Sequence, residues 1–493
     1  MTVRVWIDVE DLFEYVRSNS RPSGIQRFAF EVYRALRQRD TDSHRIHFVR
    51  HDALRNDFRT VAWTEIAALF ENMVSTPPGA SIRLQSVKPR GRVTNMLRAL
   101  VYRLPAEIRV SSLEAVWQQR QALSAWITLC GAVGDAGIRG GASMWRLLAR
   151  LVPGHRLQAS IAPESERLAS FAALAAPGDV LLVAGAPWSD PNCPTRISVQ
   201  RARRGLKVAL LVYDVIPIRC PEWCEPGVVR MFRTWLDGML PLCDHLFAIS
   251  HHTADELEAY AGQSGIGLRG PVIAVPIGTG FGHPTVATAS AASTRLPAPD
   301  TYVLCVSTIE ARKNHLLLFR LWRRLLQHKP ADAVPTLVFA GRIGWLVNDL
   351  LQQIANTNNL DGKLVVLENP TDAELTALYR GCRFTVFPSL YEGWGLPVTE
   401  SLAHGKPCLV ANRTSLPEAG SGLVRVFDPD NLNETYDVIR AVIDDPADLA
   451  DWQAEVRKKF KPVPWTRTAD ALLTALDHPL SETAEQVANA LVP

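Results

Sequence analysis

The chain has 493 residues and 54.5 kDa, which at about 150 residues per domain is enough for two or three domains. With 47% hydrophobic residues, 21% charged residues and a mean hydropathy of zero, it has enough apolar material for packed cores, which excludes a disordered, fibrous or disulfide-stapled chain. The net charge is only +3, yet residues 81–160 hold twelve basic residues against three acidic ones, so an anionic partner would meet that segment first.

The N-terminus, Met1-Thr-Val-Arg-Val-Trp6, runs straight into a strand pattern at Val3–Asp8 and leaves no room for the apolar region of a signal peptide. Further strand patterns follow at Ile46–Val49, Val180–Ala184, Lys207–Tyr213, His245–Ile249 and Val272–Pro276, with helical patterns between them. Strands alternating with helices predict an open parallel sheet for an N-terminal domain over residues 1–290. Residues 77–175 interrupt it with a basic and mostly helical insertion. Within Val93–Leu104, the residues Val93, Met96, Leu97, Leu100, Val101 and Leu104 share one helical face, and Arg92, Arg98 and Arg103 lie off it. Periodicity leaves two readings open: packing on the N-terminal domain, which is favoured, and peripheral contact with an anionic membrane through residues 81–160. The longest uncharged apolar helical pattern, Gln121–Gly134, is shorter than the roughly 20 residues of a membrane span.

Residues 281–300 are rich in Ala, Ser, Thr and Pro and read as a linker. Beyond them, strand patterns at Tyr302–Ser307, Thr336–Ala340, Leu364–Leu367, Phe384–Phe387, Cys408–Ala411 and Val424–Phe427 predict a second doubly wound domain over residues 300–475. Residues 476–493 are left as a tail, free to cross back to the first domain. Two such domains place a cleft between them, with ligands beyond the carboxyl ends of the strands. Eight cysteines without a CxxC pair read as reduced thiols of a cytoplasmic protein rather than as disulfides or zinc ligands.

The most informative stretch is Phe387-Pro-Ser-Leu-Tyr-Glu392-Gly-Trp-Gly-Leu396-Pro-Val-Thr-Glu400. A strand ends, Gly393 and Gly395 permit close backbone approach, and Pro397 suits the first turn of a helix whose free N–H groups favour an anion such as a diphosphate. Glu392 and Glu400 flank that site and suit paired hydroxyls; either one alone reads as a glutamate stabilised by a helix dipole. Thr308-Ile-Glu310-Ala-Arg312-Lys313-Asn314 follows the first strand of the second domain and opens its first helix. Two cations at a helix N-terminus are disfavoured by the dipole, so their placement asks for an anionic partner.

The stretch from Tyr302 to about Ala475 resembles the donor-binding domain of retaining GT-B glycosyltransferases of family 4, especially bacterial surface-polysaccharide members. The resemblance rests on Glu392 and Glu400 as E-x7-E, with Ser415-Leu-Pro-Glu418, Glu310-Ala-Arg-Lys-Asn314, Leu337-Val-Phe-Ala-Gly-Arg342-Ile-Gly-Trp345 and Trp465-x-x-Thr-Ala469. Ser23-Gly24-Ile-Gln-Arg27 resembles the glycine loop facing the cleft, and Tyr213-Asp214-Val-Ile-Pro217 the segment entering it from the acceptor side. Ile249-Ser-His-His-Thr253 resembles a strand–helix junction, with Thr253-Ala-Asp-Glu256 as its capping box and His251 and His252 as turn residues rather than metal ligands.

The resemblance implies an α/β GT-B fold and a metal-independent hexosyltransferase without cofactor. Glu400 would bind the ribose and Glu392 would lie near the donor hexose. Lys313 with Arg312 would neutralise the diphosphate, and Gly393, Gly395, Leu396, Thr308 and Arg342 would complete the donor site. Gly24, Arg27, Tyr213 and Asp214 would face the acceptor. Many relatives carry an arginine at the position of Thr308 and a histidine at that of Tyr213. The expected reaction transfers a hexose, with GDP-mannose as the favoured donor, to a growing, lipid-linked cell-surface polysaccharide or lipopolysaccharide at the inner face of the membrane. The alternatives are a non-catalytic scaffold of polysaccharide assembly and a nucleotide-sugar epimerase or phosphorylase. Nucleic acid is not expected as a partner, because residues 81–160 lack interleaved stacking positions and a binding motif.

Overall fold

The computed structural model describes residues 3–17, 19, 21–40, 44–52, 57–75, 170–280 and 295–477. The basic insertion apart from its end at 170–175, the Val93–Leu104 and Gln121–Gly134 patterns, most of the 281–300 linker and the tail beyond 477 lie outside the described residues.

The first domain is a seven-stranded sheet in the order β3-β2-β1-β4-β5-β6-β7. Its strands are β1 (Val5–Asp8), β2 (Ile46–Asp52), β3 (Asp57–Val61), β4 (Val180–Val183), β5 (Lys207–Val212), β6 (His245–Ala248) and β7 (Val272–Ala274). The central strands are near-continuous apolar runs because helices cover both faces, so Val5, Trp6, Ile7 and Val180 to Val183 are all buried. The Trp6 indole meets its need for an acceptor by donating to Asp179 at 3.0 Å. One expectation needs correction: the sheet is mixed, since β3 pairs antiparallel with β2. Only Phe58 and Val61 of β3 are buried, and the intervening Asp57, Arg59 and Thr60 dilute any apolar run, as suits an edge strand.

The second domain is a parallel six-stranded sheet in the order β10-β9-β8-β11-β12-β13. Its strands are β8 (Tyr302–Val306), β9 (Thr336–Gly341), β10 (Leu364–Glu368), β11 (Thr385–Phe387), β12 (Cys408–Ala411) and β13 (Arg425–Phe427). Apolar clusters cover its two faces, one built around Trp322, Phe339 and Phe384 and the other around Tyr302, Leu304 and Tyr379. Strand order reverses between β1 and β4 in the first sheet and between β8 and β11 in the second, and the loops at such switch points are where these folds bind ligands. The α/β GT-B arrangement expected from the sequence is the one observed.

The chain crosses back to the first domain earlier than residue 476. The helix Trp465–Asp477 packs along the helix Gly24–Arg39, with the Trp465 ring edge-on to Phe28 and its indole N–H donating to the Gly280 carbonyl at 2.7 Å. Among the described residues no helix is long and apolar enough to cross a membrane, and the seven described cysteines are free thiols.

Candidate active site

The carboxyl ends of the two sheets face one another across a seam. Arg27, after β1, places its guanidinium on both oxygens of Asp372, after β10, at 3.0 and 2.9 Å. The Thr253 hydroxyl, after β6, donates to the Gly393 carbonyl at 3.3 Å. The His251 N–H donates to the Glu418 carboxylate at 3.0 Å, and the Trp345 indole, after β9, donates to the Trp223 carbonyl at 2.6 Å.

Arg312 and Lys313 lie in this seam, but not on the helix that the sequence suggested. They form a single 3-10 turn, Ala311–Lys313, closed by Asn314 in the left-handed region at φ 57°, and the helix starts only at His315. Asn tolerates that conformation better than most residues, so the chain turns before the helix begins. The cations therefore precede the helix instead of opening it, still at its positive end, and the anionic partners that their placement asked for are carboxylates of the chain. Lys313 donates to Glu392 Oε1 at 2.5 Å, and Arg312 lies 3.1 Å from Glu392 Oε2. Arg312 also donates to Glu310 at 2.6 Å and to the Tyr391 carbonyl at 2.6 Å. Burial alone would raise the Glu392 carboxyl, but the Lys313 and Arg312 cations overcome it and hold the group at about 2. Burial and the adjacent Arg312 charge pull the Lys313 ammonium below its ordinary value, so a further anion at this point would be welcome.

Glu392 sits in the loop between β11 and the helix Leu396–Ala403, and Glu400 lies within that helix, as read from the sequence. Gly395 takes φ 119°, and a Cβ there would lie 2.9 Å from the Leu416 side chain. Ser415 fixes the loop from β12 by donating to the carbonyls of Glu392 and Trp394, both at 2.9 Å. The Glu400 carboxylate accepts the Tyr379 hydroxyl at 2.7 Å. Burial raises the Glu400 carboxyl against the pull of Tyr379 and of the Arg27 charge.

Gly393 has a second reason to be glycine. A Cβ at this position would overlap the Tyr213 carbonyl oxygen, so the glycine lets one domain's backbone touch the other's. Gly24 is the first residue of a helix capped by Ser23 and not part of a loop. Arg27, placed on the acceptor side by resemblance, reaches instead across the seam to Asp372. Tyr213 is buried and donates to the Ala184 carbonyl at 2.6 Å, which engages its hydroxyl within the first domain. Asp214 caps a turn, accepting the Ile216 N–H at 3.0 Å, and burial raises its carboxyl although Arg312 lies near enough to oppose it. Thr308 is half-buried at the end of β8, with its methyl group packed so close to Gly344 that a Cβ there would be 2.8 Å away. Arg342 is exposed, near enough for its charge to act on the Tyr15 phenol of the first domain.

The capping box also moves. The N-cap of the helix His251–Gln263 is Ser250, whose hydroxyl accepts the Thr253 N–H at 3.0 Å. Glu256, freed from that role, lies 3.6 Å from Arg219 and 3.5 Å from His252. Among the described residues no group of three or more His, Cys, Asp or Glu side chains is arranged to hold a metal ion. Sequence reasoning gave no role to Tyr379, Glu310 or Asp372: Tyr379 and Asp372 meet Glu400 and Arg27 from other helices, and Glu310 pairs with Arg312 two residues along the chain.

Residues 287–459 match the family described as glycosyl transferases group 1, in line with the resemblance read from E-x7-E. Three curated relatives narrow the comparison. The serotype-specific mannosyltransferase WbdA of Escherichia coli is 28% identical over 233 residues, covering 45% of this chain and 28% of that protein. The O-antigen chain mannosyltransferase B of Escherichia coli is 35% identical over 132 residues, covering 27% of this chain and 34% of that one. A D-inositol 3-phosphate glycosyltransferase of Thermobifida fusca is 29% identical over 254 residues, covering 48% of this chain and 56% of that one. The chain thus spans about a third or less of the two mannosyltransferases named here.

Proposed function

We propose that the protein is a retaining, metal-independent hexosyltransferase of family 4 that acts at the cytoplasmic face of a membrane. Its favoured donor is GDP-mannose, and its acceptor is a growing, lipid-linked cell-surface polysaccharide or lipopolysaccharide. The observation that carries this reading is the set of Lys313 and Arg312 on Glu392, in a group 1 domain whose Glu400 is held by Tyr379. Two fixed cations beside a loop–helix N-terminus suit a diphosphate, and a diphosphate carries more charge than the carboxylate now paired with them. Two of the three relatives named above are mannosyltransferases, which favours mannose; the third supports the same domain chemistry with a different acceptor.

In this reading the bond between the sugar C1 and the diphosphate oxygen breaks as the acceptor oxygen bonds to C1 on the same face. The acceptor proton passes to the departing phosphate oxygen. Arg312 and Lys313 stabilise the charge that develops there, which is usually the largest catalytic contribution of such a site. The N–H groups near Gly395 and Leu396 add to it, and Glu400 accepts a ribose hydroxyl.

The test is thermal shift of the whole chain against GDP, UDP, dTDP and ADP, each with and without its sugar, because a ligand that binds the native state raises its apparent stability. A shift with GDP that is lost in Lys313→Ala and in Glu400→Ala is expected. A shift confined to another nucleotide moves the donor assignment, and none at all sinks the enzyme reading in favour of a scaffold. Turnover of the donor sugar without acceptor would point to an epimerase, and inhibition by EDTA would overturn metal independence.

A further inference from the structure

The loop after β9 carries an aromatic side chain that the chemistry above leaves unused. Trp345 is 45% exposed and its neighbour Leu346 is 63% exposed, whereas large apolar side chains elsewhere in the second domain mostly go into its cores. This loop is not slack. The Trp345 carbonyl accepts the Ala311 N–H at 3.3 Å, directly beside Arg312, and the indole N–H donates to the Trp223 carbonyl of the first domain at 2.6 Å. Leu346 takes φ 57°, a left-handed conformation that L side chains rarely adopt, and Gly344 has no room for a Cβ against the Thr308 methyl. A strained backbone that fixes an exposed indole at the mouth of the site is an arrangement that packing alone does not call for.

We infer that Trp345 is the platform on which a pyranose ring of the glycan acceptor stacks. This rests on the glycosyltransferase reading, which it deepens by placing an acceptor subsite. An indole held through its N–H and 45% exposed offers apolar surface to the C–H side of a sugar ring. Polar side chains lie close by in the chain, with exposed Arg342 three residues before Trp345 and exposed Glu222 next to its partner Trp223, able to meet hydroxyl groups. Arg342 and Glu222 balance in charge, so this surface offers an anionic lipid layer no net attraction, and a neutral sugar fits it better than a membrane does.

Calorimetric titration of the full chain with mannotriose in the presence of GDP tests this, with the thermal shift by GDP as the check on fold and donor site. Trp345→Ala is expected to weaken mannotriose binding on the order of tenfold, which corresponds to about 1.4 kcal/mol. Trp345→Phe keeps a ring but loses the N–H to Trp223, and should stay within about threefold of wild type, a difference under 1 kcal/mol. Equal losses in both variants would mean that the indole is only a clasp between domains and would overturn the proposal. So would a Trp345→Ala variant that binds mannotriose like wild type, or a wild type that shifts with GDP but does not bind mannotriose. Reduced partitioning of Trp345→Ala into phosphatidylglycerol vesicles with unchanged mannotriose affinity would assign the platform to lipid instead. Absence of any GDP shift in the wild type would instead remove the reading beneath it.

Discussion

At Glu392, burial and charge act against each other, and the balance can be measured. The carboxylate is only 7% exposed, and two cations hold it ionised at about 2 against an ordinary value of 4.5. A carboxyl depressed in this way contributes stability that is fully present above pH 4.5 and is lost as the pH falls toward 2. Glu392→Gln leaves Lys313 without its carboxylate, and removing one partner of a buried pair costs about 3 kcal/mol or more. Chemical denaturation at pH 7 should therefore find the variant less stable than wild type by about that amount, with the gap narrowing below pH 4.5. A gap that stays constant with pH would assign the loss to packing rather than charge. GDP should recover part of it, since its diphosphate supplies the missing anion. Glu392 and Glu400 could be read from their spacing, but Glu310 and Tyr379 could not. Glu310 acts through the turn that brings the Arg312 guanidinium onto it, and Tyr379 through its hydroxyl, which reaches the Glu400 carboxylate from a different helix.

Elements were most legible where one local signal decides them. Short β-branched runs marked all the strands of the second sheet and all but one of the first, because strands covered on both faces must be apolar throughout. The edge strand β3 has one solvated face and escaped notice. Signals were misread where two neighbouring residues compete for one role: Ser250 caps the helix that Thr253 was expected to cap, and Asn314 ends a turn before the helix that Arg312 was expected to open. Gly393 is the clearest case, for a sequence shows that a side chain is absent and not what fills its place. Here the Tyr213 carbonyl fills it, so Gly393→Ala must separate the loop carrying Glu392 from β5. In the proposed enzyme the expected result is a loss of glycosyl transfer of at least about tenfold, some 1.4 kcal/mol in the transition state, with GDP binding retained because the residues proposed for the diphosphate, Arg312 and Lys313, belong to the second domain. Unchanged transfer would show that the two domains need not touch at this point for chemistry.

At the scale of the whole molecule, the two sheets are joined twice, once through the linker and once through the helix Trp465–Asp477, which belongs by sequence to the second half and by packing to the first. That second connection is built on Trp465. Its ring lies edge-on to Phe28 at 5.0 Å, fills the space over Gly278 where a Cβ would collide with it, and donates its N–H to Gly280. The ion pairs beside it, Arg39 with Asp470 and Arg45 with Asp477, are partly solvated and add little. Truncating a buried tryptophan of this kind typically costs about 3–5 kcal/mol. Trp465 takes no part in the cores that flank the second sheet, so the loss should fall on the first domain. Scanning calorimetry of Trp465→Ala should then show a lower-melting transition that GDP does not move and a second transition, near the wild-type temperature, that GDP still raises. A single transition displaced as a whole, with GDP stabilising all of it, would mean that the two domains unfold as one body; the helix would then couple them instead of merely tethering one to the other.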